Sequence, residues 1–288
     1  MVSALVLGVA LLAAPQQQTD TTFAVNAGGR LDVDLLAGQV RVESWERNAV
    51  RVRATHDGTM EVDIRHGGDV VRVEAEARRG PPSPVTFLIT VPRSYGVNVD
   101  GLSAPVEVHN VDGNLAVETV NGPVTVVGGR GRLELQTTNG AVTVRGARGS
   151  VRVGTVNQGI TLEDVEGDVQ AQAVNGHISM QNVRARAVDA ETVNGSVSYR
   201  GAIQENGRYR FSTHNGGVTL HVPAGVSATF SVATENGTFD SDFPVQMQGR
   251  RRGDRATFTL GSGSARVEME SFGGRIELRR IGGGQDQR

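Results

Sequence analysis

The densest group of side chains that could do chemistry is a run of carboxylates, Glu163, Asp164, Glu166 and Asp168. Glycoside cleavage uses paired carboxylates as acid and base or nucleophile, so this run keeps a carbohydrate-active enzyme open as an alternative. Arg side chains lie 18 residues to either side of Glu166, and a solvated edge with ion pairs is the more common meaning of such a run. With one Trp, three Tyr and eight Phe, side chains that could stack on sugars are scarce. We therefore assign no catalytic residue.

The other reactive and metal-binding residue types form no recognisable pattern. The six His residues have none of the spacings typical of metal sites. The chain has no Cys, which excludes disulfides, thiolate metal sites and cysteine nucleophiles. All 29 basic residues are Arg, so lysine Schiff bases and P-loops are excluded. The net charge of −2 gives no electrostatic reason to expect a nucleic-acid partner. We expect no cofactor and no metal.

The body of the chain has the period of β-strands almost throughout. Apolar and polar residues alternate at 31–35, 50–55 and 85–91, which is typical of half-buried strands. No stretch has a convincing helical period, and Gly, at 38 of 288 residues, punctuates the strands at short intervals. The sequence predicts an all-β fold.

A repeat of 18–21 residues organises these strands. Asn recurs before Gly, with Asn157-Gln158-Gly159 as a variant, and Thr usually stands two residues before the Asn. Aliphatic residues stand three and five positions after each Asn, so successive repeats share fixed columns. Such a period predicts a β-solenoid whose coils stack in parallel about 4.8 Å apart. The residues expected to form a ladder at one corner are Asn121, Gly122, Asn139, Gly140, Asn157, Asn175, Gly176, Asn194, Gly195, Asn215, Gly216, Asn236 and Gly237.

Two features of this corner follow from residue type. Asn and Gly tolerate positive φ, which we expect a sharp corner to need. The Thr column can either face solvent or cap the corner by hydrogen bonding.

Asn-Gly is also the favoured two-residue hairpin turn, so a run of antiparallel hairpins is an alternative. The fixed 18-residue phase favours the solenoid, because hairpins do not require it.

A column of Arg side chains is a candidate binding strip. Arg130, Arg148 and Arg184 share one repeat position. Such a strip could bind anionic glycans or a partner protein, although a solvated face is its more common meaning.

The repeat and the composition divide the chain into segments. An apolar run of 13 residues, Val2 to Ala14, is too short to span a bilayer and has the length of a signal-peptide core. Its alternative is an apolar first strand or helix. No other segment could cross a membrane. The predicted organisation is a signal peptide at 1–18, an N-terminal β-rich cap or early rungs at 20–98, regular solenoid repeats at 99–225, C-terminal β-rich rungs and cap at 226–281, and a disordered tail at 282–288.

Four segments carry a resemblance to a known family: LITVPRSYGVNVDG (88–101), HNVDGNLAVETVNGPVTV (109–126), FSTHNGGVTLHVPAG (211–225) and SFGGRIEL (271–278). Over about residues 30–280, the chain resembles the bacterial putative-adhesin family of β-strand repeat proteins, whose function is unknown. The resemblance implies an exported or envelope-associated β-repeat protein, periplasmic, at the cell surface or secreted. It implies no catalytic residues.

The functional hypothesis is a non-enzymatic, exported β-solenoid for surface binding, adhesion or envelope scaffolding. Its expected partner is an envelope glycan or protein, bound through many weak contacts along the repeat. The alternatives are a carbohydrate-active enzyme on a β-helix and a filament that self-assembles through the solenoid ends.

Overall fold

The computed structural model describes residues 16–245 and 255–282. These residues form 25 strands and no helix, and so contain no helix long and apolar enough to cross a membrane. The strands, in chain order, are β1 (Gln17–Ala24), β2 (Arg30–Trp45), β3 (Ala49–His56), β4 (Met60–Gly67), β5 (Val70–Ala77), β6 (Val85–Pro92), β7 (Gly96–Ser103), β8 (Val106–His109), β9 (Leu115–Thr119), β10 (Val124–Val127), β11 (Leu133–Thr137), β12 (Val142–Arg145), β13 (Val151–Thr155), β14 (Ile160–Glu163), β15 (Val169–Ala173), β16 (Ile178–Val183), β17 (Ala187–Thr192), β18 (Val197–Gly201), β19 (Arg208–Thr213), β20 (Val218–Val222), β21 (Ala228–Thr234), β22 (Phe239–Ser241), β23 (Ala256–Leu260), β24 (Ala265–Ser271) and β25 (Ile276–Arg280).

Each regular coil contributes one short strand to each of two parallel stacks, sheet A and sheet B. In sheet A, Val124 of β10 pairs in parallel with Val106 of β8 and Val142 of β12. In sheet B, Leu133 of β11 is flanked in the same way by strands of the coils before and after it. Equivalent repeat positions therefore lie on top of one another. The predicted all-β solenoid is confirmed, and the alternative of antiparallel hairpins is wrong for the regular repeats.

The core lies between the two sheets, where their inward columns meet. Val124 and Val126 of sheet A face inward, as do Leu133 and Leu135 of sheet B, and each is at most 2% exposed. The alternation seen in the sequence thus buries one side of every strand. Aromatic side chains enter this core where the coils lengthen, at Tyr199, Tyr209 and Phe211.

At both ends, the order of the coils in space differs from their order along the chain. Strand β2 is long enough to enter both sheets, and its coil lies between the β5–β6 coil and the β7–β8 coil. The β24–β25 coil likewise lies between the β19–β20 coil and the β21–β22 coil. The sequence predicts that Phe239 follows Val218 in the aliphatic column, but Ile276 lies between them. Because each of these coils lies between two others, β2, β24 and β25 have parallel partners on both sides.

Antiparallel strands cover the outer coils. Strands β3 and β1 continue sheet A beyond β6, and β4 and β23 cover sheet B at its two ends. The edge strand β4 carries Glu61, Asp63 and Arg65, and charges on an edge oppose pairing with another chain. The 20–98 segment therefore contains both early coils and capping strands. Within the described residues, antiparallel strands thus border both ends of sheet B and the N-terminal end of sheet A, while β22 ends sheet A at its other end.

Several sequence-based predictions fall partly or wholly on residues outside those that the structure describes. For the predicted signal peptide at 1–18, only the last residues are described, and Gln17 begins β1. Most of the predicted C-terminal tail, 283–288, also lies outside the described residues.

Candidate functional site

The corner at which each coil passes from sheet B to sheet A is held by buried hydroxyl groups. The Oγ1 of Thr137 donates to the carbonyl oxygen of Gly122 at 3.1 Å, and that of Thr155 donates to Gly140 at 2.8 Å. Thr119, Thr192, Thr213 and Ser271 bond the neighbouring coil in the same way. Of the two roles that the sequence left open for this column, hydrogen-bonded capping is the one observed.

The Asn side chains of six successive coils form an amide ladder on the outside of this corner. Each Nδ2 donates to the Oδ1 of the coil before it, so every internal amide both donates and accepts. The bonds are Asn139 to Asn121 (2.7 Å), Asn157 to Asn139 (2.6 Å), Asn175 to Asn157 (3.0 Å), Asn194 to Asn175 (2.8 Å) and Asn215 to Asn194 (2.7 Å).

Asn236 is not brought into contact with the ladder. In register, Thr213 pairs with Ser271, and Ser271 pairs with Thr234. Two residues further on, Gly273 therefore stands between Asn215 and Asn236. Glycine has no side chain to continue the amide contacts, so the ladder ends at Asn215. The spacing in the sequence gave no signal of this interruption, because the intervening coil comes later in the chain.

The glycines at this corner are required for a different reason than positive φ. Among the described residues of this corner, Gly38 has positive φ (136°), but Gly122, Gly140, Gly176, Gly195, Gly216 and Gly237 do not; Gly149 (129°) and Gly167 (130°) have it at the second corner of the coil. At Gly140, an added Cβ would lie inside 3.0 Å of the Gly122 carbonyl group, closer than real Cβ atoms approach. The same holds for Gly122, Gly176, Gly195, Gly216 and Gly237. These glycines allow neighbouring coils to approach closely at the corner.

The predicted Arg strip is interrupted by a carboxylate. Glu166 forms parallel bridges with Arg148 on one side and Arg184 on the other. The Nε of Arg148 lies 3.5 Å from a carboxylate oxygen of Glu166, and both side chains are well exposed. The column therefore runs Arg130, Arg148, Glu166 and Arg184, with one carboxylate inside the row of positive charge. This is a weak surface pairing, and it lowers the attraction of the strip for an anion.

The other carboxylates of the acidic run are also engaged by neighbouring coils. Glu163 accepts a bond from the Nε of Arg145 at 2.6 Å. Asp164 accepts from Asn182 at 3.1 Å, and Asp168 accepts from a backbone N–H at 3.1 Å. Within residues 16–245 and 255–282, no group of three or more His, Asp or Glu side chains is placed to hold a metal ion. The acidic run is thus part of the contacts between coils.

A row of exposed apolar side chains follows the Thr-x-Asn-Gly corner along the stack, and the sequence analysis missed it. We call this row the apolar ridge. Its members are 38–49% exposed and lie in the column that, in the regular coils, stands directly before the Asn: Leu36, Leu102, Val120, Val156, Val174, Val193 and Phe272. Thr138 interrupts this row between Val120 and Val156. The ring of His214 occupies the same column and stacks on Phe272 at 4.7 Å. The recurring Val before Asn-Gly was the available signal, but a corner side chain has no alternation to indicate its direction.

A second outward row lies on sheet A beside the corner. We call it the hydroxyl column, because its members are Thr125, Thr143, Thr161, Ser179, Ser198 and Thr219. All six side chains are partly exposed. Parallel register places them one per coil, so their hydroxyl groups repeat at about 4.8 Å. Hydroxyl groups can donate and accept hydrogen bonds and can rotate to suit a ligand.

The outer face of sheet B is acidic near the N-terminal end. Asp100 pairs with Asp34 on one side and with Glu118 on the other, so like charges stand in adjacent strands. Burial raises the pKa of the Asp100 carboxyl, and the neighbouring Asp34 and Glu118 raise it further. This row makes the outer face of sheet B electrostatically distinct from the hydroxyl column of sheet A.

A family model and several solved structures match this chain. Matching solved structures include a putative cell adhesion protein from Clostridium sporogenes (8% identity, covering 92% of this chain and 100% of that one, TM-score 0.25) and putative adhesins from Bacteroides fragilis (13%, 91% and 97%, 0.43) and Parabacteroides merdae (10%, 91% and 96%, 0.46). No curated protein matches the chain. The model of the Toastrack DUF4097 family matches residues 30–279, and the chain therefore belongs to that family.

Proposed function

We propose that this chain is an exported, non-enzymatic β-repeat protein that binds an extended partner at the cell envelope. The observation that carries the proposal is the parallel register of the hydroxyl column from Thr125 to Thr219, which repeats the same kind of exposed side chain at a fixed spacing. A rigid array of this kind binds long partners through many weak contacts. The apolar run at Val2 to Ala14 supports export.

The contacts of the acidic run support a role other than catalysis. A general acid or base must reach a substrate proton, and its function depends on a pKa suited to that transfer. Glu163 and Asp164 are instead engaged by Arg145 and Asn182 of neighbouring coils. We assign these carboxylates to cohesion between coils.

Cell fractionation and a binding assay test this proposal. The full chain with a C-terminal epitope should appear outside the cytoplasm, and its mature N-terminus should begin after the Val2 to Ala14 run. Purified mature protein should sediment with washed envelopes of the source bacterium. A cytoplasmic location of the full-length chain would refute export, and failure to sediment would refute envelope binding.

The enzyme alternative has its own test. The protein is incubated with neutral and acidic glycans, and products are measured by reducing ends and mass spectrometry. The proposal expects no turnover. Turnover that is lost in Glu166→Gln would establish the enzyme instead.

A further inference from the structure

One face of the solenoid carries no formal charge over six coils. It comprises segments 120–126, 138–144, 156–162, 174–180, 193–199 and 214–220, and none of these 42 residues is Asp, Glu, Lys or Arg. The five segments that lie between them carry 18 such residues, and 21% of the whole chain is charged. Each charge-free segment contains the corner and the first three residues of the following strand of sheet A. Charge is therefore absent from this strip, and charged side chains border it further along the sheet A strands, at Arg145, Glu163 and Arg200.

This charge-free face presents four kinds of outward column in a fixed order. The apolar ridge comes first and the amide ladder second. Small or uncharged side chains come third, at Pro123, Ala141, Gly159, His177, Ser196 and Gly217, and the hydroxyl column comes fourth. At about 4.8 Å per coil and 3.3 Å per residue, six coils give a face roughly 25 Å long and 16 Å wide.

We propose that the charge-free face binds a neutral polysaccharide that lies along the stack of coils. The proposal rests on the proposed envelope-binding function and names the class of its ligand. Sugar hydroxyl groups can both donate to and accept from Thr161, Asn157 and their equivalents in each coil. The apolar C–H faces of a sugar can pack on the ridge side chains, such as Val156 and Val174. A charged polymer would instead be attracted to the Arg and carboxylate side chains of the segments between these charge-free ones, such as Arg145 and Glu163.

Two other occupants fit this face less well. A second protein copy needs about 800 Å² on each side for a stable interface, and roughly 25 by 16 Å is about half of that. A lipid bilayer would remove water from the amide and hydroxyl columns without replacing their hydrogen bonds, which is unfavourable. A polysaccharide satisfies the polar columns, and its repeating units let weak contacts add up over several coils.

Depletion assays with insoluble polymers test the ligand class. The full-length mature protein is mixed with cellulose, chitin or β-1,3-glucan, with polygalacturonate beads, or with phosphatidylcholine vesicles. We expect retention on at least one of the three neutral polymers, with less than about a twofold change between 50 mM and 1 M NaCl, since no ion pair is involved. Retention by none of them, or loss of retention in 1 M NaCl, would overturn the inference.

A matched pair of variants locates the binding face. Thr143→Arg with Thr161→Arg places two charges in the hydroxyl column, and we expect binding to weaken at least tenfold. The control, Gln136→Arg with Gln172→Arg, makes the same kind of change on the outer face of sheet B and should leave binding within twofold. Thr161→Val removes one hydroxyl group while keeping the shape, and should weaken binding by a few fold. Circular-dichroism melts confirm that each variant folds.

The outcomes separate this inference from the function on which it rests. Equal loss of binding in the two double variants would refute the assignment to the charge-free face. Sedimentation with envelopes together with retention only on polygalacturonate or vesicles would refute the ligand class and leave envelope binding intact. Retention on a neutral polymer by a chain that is never exported would refute the envelope function instead.

Discussion

The coils approach so closely at Gly140 that we expect one added methyl group to push neighbouring coils apart. In Gly140→Ala, the new Cβ would overlap with the carbonyl group of Gly122 in the preceding coil. The atoms it meets belong to the backbone, so no side chain can rotate away. The two coils must move apart, and Gly140 lies in the middle of the stack, where the loss affects a continuous core.

The expected loss of folding stability in Gly140→Ala follows from the hydrogen bonds at that corner. Ordinary van der Waals contact requires the coils to separate locally by about 1.5 Å. The bonds that would stretch are Asn139 N to Val120 O (2.8 Å), Val124 N to Ala141 O (2.9 Å) and Thr137 Oγ1 to Gly122 O (3.1 Å). At a net 0.5–1.5 kcal/mol each, losing them costs about 2–4 kcal/mol. For a chain of this size that corresponds to a fall in Tm of about 5–12 °C.

Differential scanning calorimetry of a matched pair measures the effect. Gly225 has nothing within 4 Å of an added Cβ and is not at positive φ, so Gly225→Ala is the control. That variant should match the parent Tm or exceed it slightly, because alanine restricts the unfolded chain. If Gly140→Ala melts within about 2 °C of Gly225→Ala, close approach is not the reason for glycine at this corner.

Three further predictions address the faces, the ladder and the acidic row. Val142→Asp should strongly destabilise the solenoid, because the Val142 side chain is fully buried. Thr143→Asp should fold, because the Thr143 side chain points outward. Similar chemical-denaturation midpoints for the two variants would contradict the assigned faces. Asn157→Ala removes one donated and one accepted bond and should cost about 1 kcal/mol or somewhat more, while Asn236→Ala, outside the ladder, should cost measurably less in urea titrations. Asp100→Asn should raise the Tm at pH 7: the pKa of Asp100 is raised above its ordinary value of 3.8, so the folded state disfavours the charged form. That advantage should disappear as the pH falls below about 4, where the carboxyl is protonated, and a gain that persists at pH 3 would exclude the charge as its cause.

The regular part of the fold was predictable because two periodicities, the alternation along each strand and the 18–21-residue repeat, both constrain it. Alternation along each strand decides which residues face inward, and the repeat decides which of them meet in adjacent coils. Val124, Val142 and Ile160 could therefore be aligned in one column before any pairing was known, and the structure confirms that column. The Asn spacing identified the corner for the same reason.

The ends and the corner chemistry required the structure. Coils β21–β22 and β24–β25 both offer suitable edges to β19–β20, and the sequence has no local signal for which of them pairs there. Arg148 and Arg184 share a column, yet the charge of that column depends on Glu166, which lies between them. The apolar ridge escaped prediction because the backbone turns at that position and alternation no longer fixes the side-chain direction.

The sequence by itself determined that the chain is a parallel β-solenoid with an 18–21-residue coil, because identical columns are satisfied only by stacking in register. The tertiary structure decided which coil lies beside which, why the corner residues are glycine, and how the exposed columns combine into one charge-free face. These features depend on distances between segments far apart in the chain, and local residue patterns do not encode those distances.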